Sequence, residues 1–279
     1  PEPRLIRERQ WGRPDQFVMT KEEFIRLFPN DEYDNESNPL TWEKGESIAL
    51  GEQTTREDGN WNLPANLYLN PGFYELVFTA VASNGDTIQD IRTVEVFTPA
   101  SNQLTRPQYL WTRGSDKTEP GETALIRMGT SSDSLYILQT LENSDGRKNS
   151  QTTRLQVLKK GIHELSFPIS EADRGGFGVT FAFVKHNRVY VHQETIKVPW
   201  SNKKLTITYG TFRDKTLPGS RETWNLTLAG FKGEKVAAEL LAGMYDASLD
   251  EFLRHEWRNP GVWPNFYPMV YWGTRAFGS

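Results

Sequence analysis

Two short signatures recur about 100 residues apart in this 279-residue chain, and that period limits the fold more than any other feature. The run Gly72-Phe73-Tyr74-Glu75-Leu76-Val77-Phe78 is echoed 104 residues later by Gly176-Phe177-Gly178-Val179-Thr180-Phe181-Ala182. A tight-turn dipeptide follows each run, Asn84-Gly85 in the first and His186-Asn187 in the second, and a further strand then ends near Val96 or Val198. Pro120-Gly121 precedes an alternating segment at Glu122 to Met128, and Pro218-Gly219, 98 residues on, precedes another at Arg221 to Leu228. Both markers give one period of roughly 100 residues, the size of an immunoglobulin-like β-sandwich.

The middle copy predicts seven short strands between turn signals: Tyr109 to Arg113, Glu122 to Gly129, Leu135 to Glu142, Thr152 to Lys159, His163 to Ile169, Gly178 to Lys185 and Arg188 to Val198. Ala124, Ile126 and Met128 share one face while Thr123 and Arg127 take the other, the period-two pattern of a half-buried strand. Asp145-Gly146 supplies a hairpin turn in the polar stretch between the third and fourth strands. The expected fold class is all-β, with tandem immunoglobulin-like sandwiches and a short N-terminal helix. The expected domains are 1–99, 100–200 and an incomplete 201–279, in keeping with the two to three domains that this length suggests.

In the first domain Ser47 to Gly51, Gly72 to Ala82 and Thr87 to Phe97 read as strands, with an Asp58-Gly59 turn. Thr20 with Glu23 three residues on forms a capping box. Phe24, Leu27 and Phe28 make an apolar stripe, and Pro29 ends the helix, after which Asn30 to Asn38 is a loop. Glu234 to Phe252 is ambiguous: its good helix formers and the spacing of Val236, Leu240 and Leu241 favour a helix, while Val236, Ala238, Leu240 and Met244 also share a strand parity behind a Gly230 to Gly233 turn.

Composition closes several functional classes. With 36 acidic and 32 basic residues the net charge is −4, which gives no electrostatic footprint for nucleic acid. Zero cysteines exclude a disulfide framework, a thiolate zinc site and a cysteine nucleophile. No apolar run reaches the roughly 18 to 20 residues of a membrane-spanning helix, and the chain reads as a soluble mature polypeptide or an excised fragment.

Chemistry-bearing motifs are weak. Ser201 and Lys204 match S-x-x-K, but they sit in a linker before the strand Leu205 to Tyr209, without the partner motifs of a serine acyl-transfer enzyme. His255-Glu256 opens like a zincin helix, yet position 259 is Asn. The four histidines, His163, His186, His192 and His255, are scattered over turns and strand surfaces. Gly175, Gly176 and Gly178 lack the strand-to-helix context of a phosphate loop. Asp246 and Asp250 stand four apart with no pocket-forming context, and Asp246 reads as the cap of a following helical turn. Asn35-Glu36-Ser37 and Asn225-Leu226-Thr227 are glycosylation sequons by pattern alone. These readings predict no enzyme and no cofactor.

Three stretches resemble the macroglobulin-like domains of bacterial alpha-2-macroglobulins. Thr54, Thr55, Asp58 and Gly59, then Pro71, Gly72, Tyr74 and Leu76, then Asn84-Gly85, are similar to the end of one such domain. Tyr109 through Pro120-Gly121, with Ile162 to Pro168 and Gly176 onward, resembles the next. Leu205 to Tyr209, Pro218-Gly219, Gly233, Val236 to Glu239 and Met244-Tyr245-Asp246-Ala247 with Leu249 resemble a strand that ends at an aspartate before a helical turn. The resemblance covers most of residues 45–250. It implies a strand over Glu234 to Tyr245 and a helical turn over Ala247 to Leu253.

The resemblance further implies a noncatalytic scaffold segment of an endopeptidase inhibitor that traps target proteases, located in the periplasm or at the cell surface, with the other domains of its polypeptide as partners. In the family a protease-sensitive bait segment is inserted in the domain left incomplete here, so Arg254, Arg258 and Arg275 become candidate cleavage positions. The covalent trap of some members needs a cysteine–glutamine thioester, which this chain cannot form. The rival reading is a carbohydrate-binding or adhesion sandwich in which Trp257, Trp263, Tyr267 and Trp272 stack on sugar faces.

Overall fold

The computed structural model describes residues 3–52, 54, 60, 62, 64, 67–82, 84–98, 101–144, 149–211, 213, 215–217, 219–236, 238–241, 243, 245–254, 256, 263, 265, 267 and 270. Its regular structure is nearly all antiparallel β. Strands β1 (Gly72–Val81) and β2 (Thr87–Val96) form a two-stranded sheet. Strands β3 (Trp111–Gly114), β4 (Thr123–Ser144), β5 (Asn149–Pro168), β6 (Phe177–Lys185) and β7 (Arg188–Ile196) form a five-stranded sheet. Strands β8 (Thr206–Thr211) and β9 (Asn225–Ala229) form a second two-stranded one.

The seven segments expected in the middle region are all extended, but four of them join pairwise into β4 and β5. The cause lies in Gly129-Thr130-Ser131-Ser132-Asp133-Ser134. The pairing of β4 with β5 slips between Thr130 and Ser134 instead of ending. Local hydroxyls bond the backbone around the slip: Ser132 N donates to Thr130 Oγ1 at 3.0 Å and Ser132 Oγ to the Ser134 carbonyl, while Gln108 N, from the segment before β3, donates to Ser131 Oγ. Opposite the bulge stands Gly161 at φ +118°, a backbone conformation that suits glycine.

The bulge divides the sheet into two halves. The first half of β4 pairs with β3 and the end of β5; its second half pairs with the start of β5 and with β6, which carries β7. β3 returns to touch β7. Ala124, Ile126 and Met128 from one half and Leu135, Ile137, Val179 and Phe181 from the other belong to a single buried cluster, so the bent sheet closes sandwich-like on one core. The connection at Asp145-Gly146 lies outside the described residues.

The flanks are more open. α1 (Lys21–Leu27) starts at Thr20 with the expected capping box and stops at Phe28, before Pro29. The loop after it is organised by arginines. Arg7 forks onto Asp31, Arg9 Nη2 donates to the carbonyls of Glu32, Tyr33 and Asp34, and Arg13 pairs with Asp34. Residues 47–51 are not a strand. Among the described residues, 234–245 form neither the helix favoured by propensity nor the strand implied by the resemblance. A single bridge joins Ala229 to Lys235 after a Gly230 to Gly233 turn. Isolated from a partner strand, an alternating segment has no ladder to complete. Asp246 caps a 3₁₀ turn over Ala247–Glu251, donors being the Ser248 amide and hydroxyl.

Candidate functional site

The linker that leaves the central sheet is anchored by one buried cation. Arg174 follows a 3₁₀ turn, Glu171–Asp173, that is capped by Ser170, and its side chain lies almost wholly out of solvent. Its Nε and Nη2 meet Glu171 at 2.9 and 3.0 Å, and its Nη1 meets Glu119 at 3.0 Å, Ser201 Oγ at 2.8 Å and the Pro199 carbonyl. Ser201 in turn donates to Glu119 at 2.6 Å. That hydroxyl, followed by Arg174, holds the Glu119 carboxyl below its ordinary value. Ser201 is therefore committed to a structural network. Its contact with Lys204 runs through the backbone, amide to carbonyl at 3.0 Å, which is the geometry of a pinned linker.

The C-terminal candidates separate by position. Arg254 is exposed, beyond the exposed Phe252 and Leu253. Arg258, Arg275, Trp257 and Trp272 lie outside the described residues, as does His255. Trp263 packs against Trp200 with ring centroids 5.4 Å apart and planes tilted by 37°, under Lys203 Nζ at 4.9 Å, and about half of it remains exposed. Tyr267 lies against Gly176, where burial raises its hydroxyl pKa. Val270 reaches the sheet: its carbonyl accepts from Gln193 Nε2 at 3.2 Å and its amide donates to the Glu142 carboxylate. Burial pushes the Glu142 carboxyl up, and that amide partly offsets the cost.

These contacts were invisible to motif reading. Arg174 stands 55 residues from Glu119, and Glu142 is one more polar residue on a strand; only the fold brings their partners to them. Among the described residues no group of three His, Cys, Asp or Glu side chains could hold a metal ion. His163 meets the Lys159 carbonyl, Asp250 accepts from the Tyr245 hydroxyl, and Asp246 serves its cap. Among the described residues no helix is long and apolar enough to cross a membrane. Comparison with protein-family models and with curated protein sequences gives no match.

Proposed function

We propose that this chain is a noncatalytic scaffold segment of an alpha-2-macroglobulin-like endopeptidase inhibitor, built from tandem macroglobulin-type, immunoglobulin-like sandwiches and working in the periplasm or at the cell surface. The observation that carries the reading is the repeat written in backbone. The echoed runs are both antiparallel hairpins, β1–β2 and β6–β7. The two Pro-Gly signals both carry glycine at positive φ, +92° at Gly121 and +77° at Gly219, and each stands between paired strands, β3–β4 and β8–β9. The aspartate-capped turn at Asp246 further supports the resemblance.

In this reading a protease cuts an exposed segment beyond the scaffold, and the surrounding domains close on it. The clamp at Arg174 gives the central unit a fixed exit for the next domain. The test uses the whole polypeptide that contains this chain, mixed with an endopeptidase. The expected outcome is limited cleavage, a change in hydrodynamic size, and slower digestion of a large protein substrate than of a small peptide. Equal inhibition of both substrates, or cleavage with no change in size, overturns the proposal. A saturable quench of tryptophan fluorescence by a glycan panel replaces it with the adhesion reading.

A further inference from the structure

The N-terminal residues meet the central unit at the β6–β7 turn. Leu5 packs against the buried cluster. Arg7 gives Nε and Nη2 to Asp31 and its Nη1 to the carbonyl of His186 at 2.6 Å. From the opposite side Arg188 donates to the carbonyl of Glu8. The turn and the N-terminal segment thus clasp each other through two guanidinium groups and two backbone carbonyls.

His186 sits at the centre of the clasp. His186 and Asn187 have φ of 46° and 58°, the two positive values of a type I′ hairpin turn. The His186 Nδ1 is 2.8 Å from the Tyr109 hydroxyl. Tyr109 meets Tyr190, Tyr190 stacks on Phe183, and Phe183 stacks on His192, so an aromatic column carries a histidine at each end. The charged groups around the column are Arg7, Glu8 and Asp31 from the N-terminal segment and its loop, Lys185 and Arg188 from the hairpin, and Glu194 from β7. Burial holds His186 below its ordinary value, with Lys185 and Arg7 adding to the effect. Burial does the same to His192, against Glu194 and Glu8.

We propose that residues 4–9 are an acid-released strap, seated on the His186 turn at neutral pH and lifted from it when His186 takes up a proton. Protonation of His186 adds a cation beside Arg7 and Lys185, where Asp31 is already engaged by Arg7. It also fixes Nδ1 as a donor, so the Tyr109 hydroxyl oxygen must accept there. A base with a lower pKa in the seated state binds fewer protons there than in the released state. Acid therefore favours release, starting near the ordinary histidine value of about 6.5 and strengthening below it.

Nuclear Overhauser contacts between the Leu5 methyls and the buried cluster, followed on the whole chain at about pH 7.5 and about pH 5, test the strap. The Leu5 contacts are lost on acidification, while contacts within β4 and β6 are kept. In the His186→Asn variant the Leu5 contacts persist at both values. Unchanged contacts in the native chain, or the same loss in the His186→Asn variant, overturn the proposal. Titration of the His186 imidazole resonances in the unaltered protein decides independently of whether the variant folds: a midpoint below the ordinary histidine value is expected, and a midpoint at or above about 6.5 sinks the idea.

Discussion

Val77 and Phe181 hold the same place in the two echoed runs, 104 residues apart, yet Phe181 is fully buried and Val77 is 48% exposed. Both lie mid-strand in an antiparallel hairpin, opposite Ile91 and His192 respectively. The difference is what stands behind them. β6 pairs with β4 as well as β7 and faces the other half of a bent sheet, so its inward side chains meet Ile126, Met128 and Ile137 within one cluster. Among the described residues β1 has one partner strand, and Val81, Ile88 and Ile91 of its hairpin remain exposed as well. Alternation specifies which side chains share a face; burial needs a second layer.

The sharpest way to break the comparison is to truncate both residues. Phe181→Ala is expected to cost about 3–5 kcal/mol, the range for deleting a large aromatic from a packed core. Val77→Ala is expected to stay within about 0.5 kcal/mol. Urea unfolding followed by tryptophan fluorescence measures both. A Val77→Ala loss comparable to the core value means that the first hairpin is covered in solution, and the contrast between the regions fails.

A pair of glycines sharpens the next step, because Gly176 and Gly121 both have φ +92° but different surroundings. A Cβ on Gly176 meets the Tyr267 ring and stands 2.5 Å from the Ile196 carbonyl, whereas one on Gly121 has open space. Gly121→Ala therefore reports backbone strain alone, about 1 kcal/mol. Gly176→Ala adds the clash and should cost about 2–3 kcal/mol in thermal or urea unfolding. Equal losses show that Tyr267 leaves its seat without cost.

A smaller effect is expected at the linker clamp. Arg174→Met removes a buried fork and should lower stability by about 1.5 kcal/mol, the scale of hydrogen bonds to a charged group. Arg174→Lys should recover little, since an ammonium cannot address Glu171, Glu119 and the Pro199 carbonyl at once. The pH dependence has a defined sign. Glu119 is held below its ordinary value by Ser201 and then Arg174, so its contribution is present near neutrality and fades as pH falls through the depressed value. Ser201→Ala should flatten the acid limb of a plot of stability against pH; an unchanged limb removes Glu119 from the account.

The strands of the central unit were legible because each one signals itself locally, as in Ala124, Ile126 and Met128, all essentially fully buried, and in the His186-Asn187 turn. The union of four expected strands into two was not, because a slip at Thr130 and a break there look alike until the hydroxyls of Thr130, Ser131 and Ser132 find backbone partners. Residues 234–245 defeated both readings for a related reason: their amphipathic pattern fits either period, and only a partner decides between them. The site contacts were less legible still. The Tyr267 and Val270 seats depend on Gly176, Gln193 and Glu142, which no sequence spacing links to them.

The smallest effect belongs to α1. Seven residues are too few to hold a helix by propensity, so this one depends on its ends and its aromatic contacts. Thr20 Oγ1 accepts from the Glu23 amide, and the Glu23 carboxylate accepts from the Thr20 amide. Phe24 meets Tyr33 and Phe28, and the Tyr33 hydroxyl ties the loop back to the Met19 carbonyl. Thr20→Ala should therefore cost about 1 kcal/mol of local helix stability, read as faster amide exchange at Glu23 and Phe24. Because α1 buries no residue in the central cluster, the same substitution should move the unfolding midpoint of that cluster by less than about 0.5 kcal/mol. A global loss as large as the local one would make the N-terminal region part of the central cooperative unit, and the line between packed core and open flank would have to be redrawn around it.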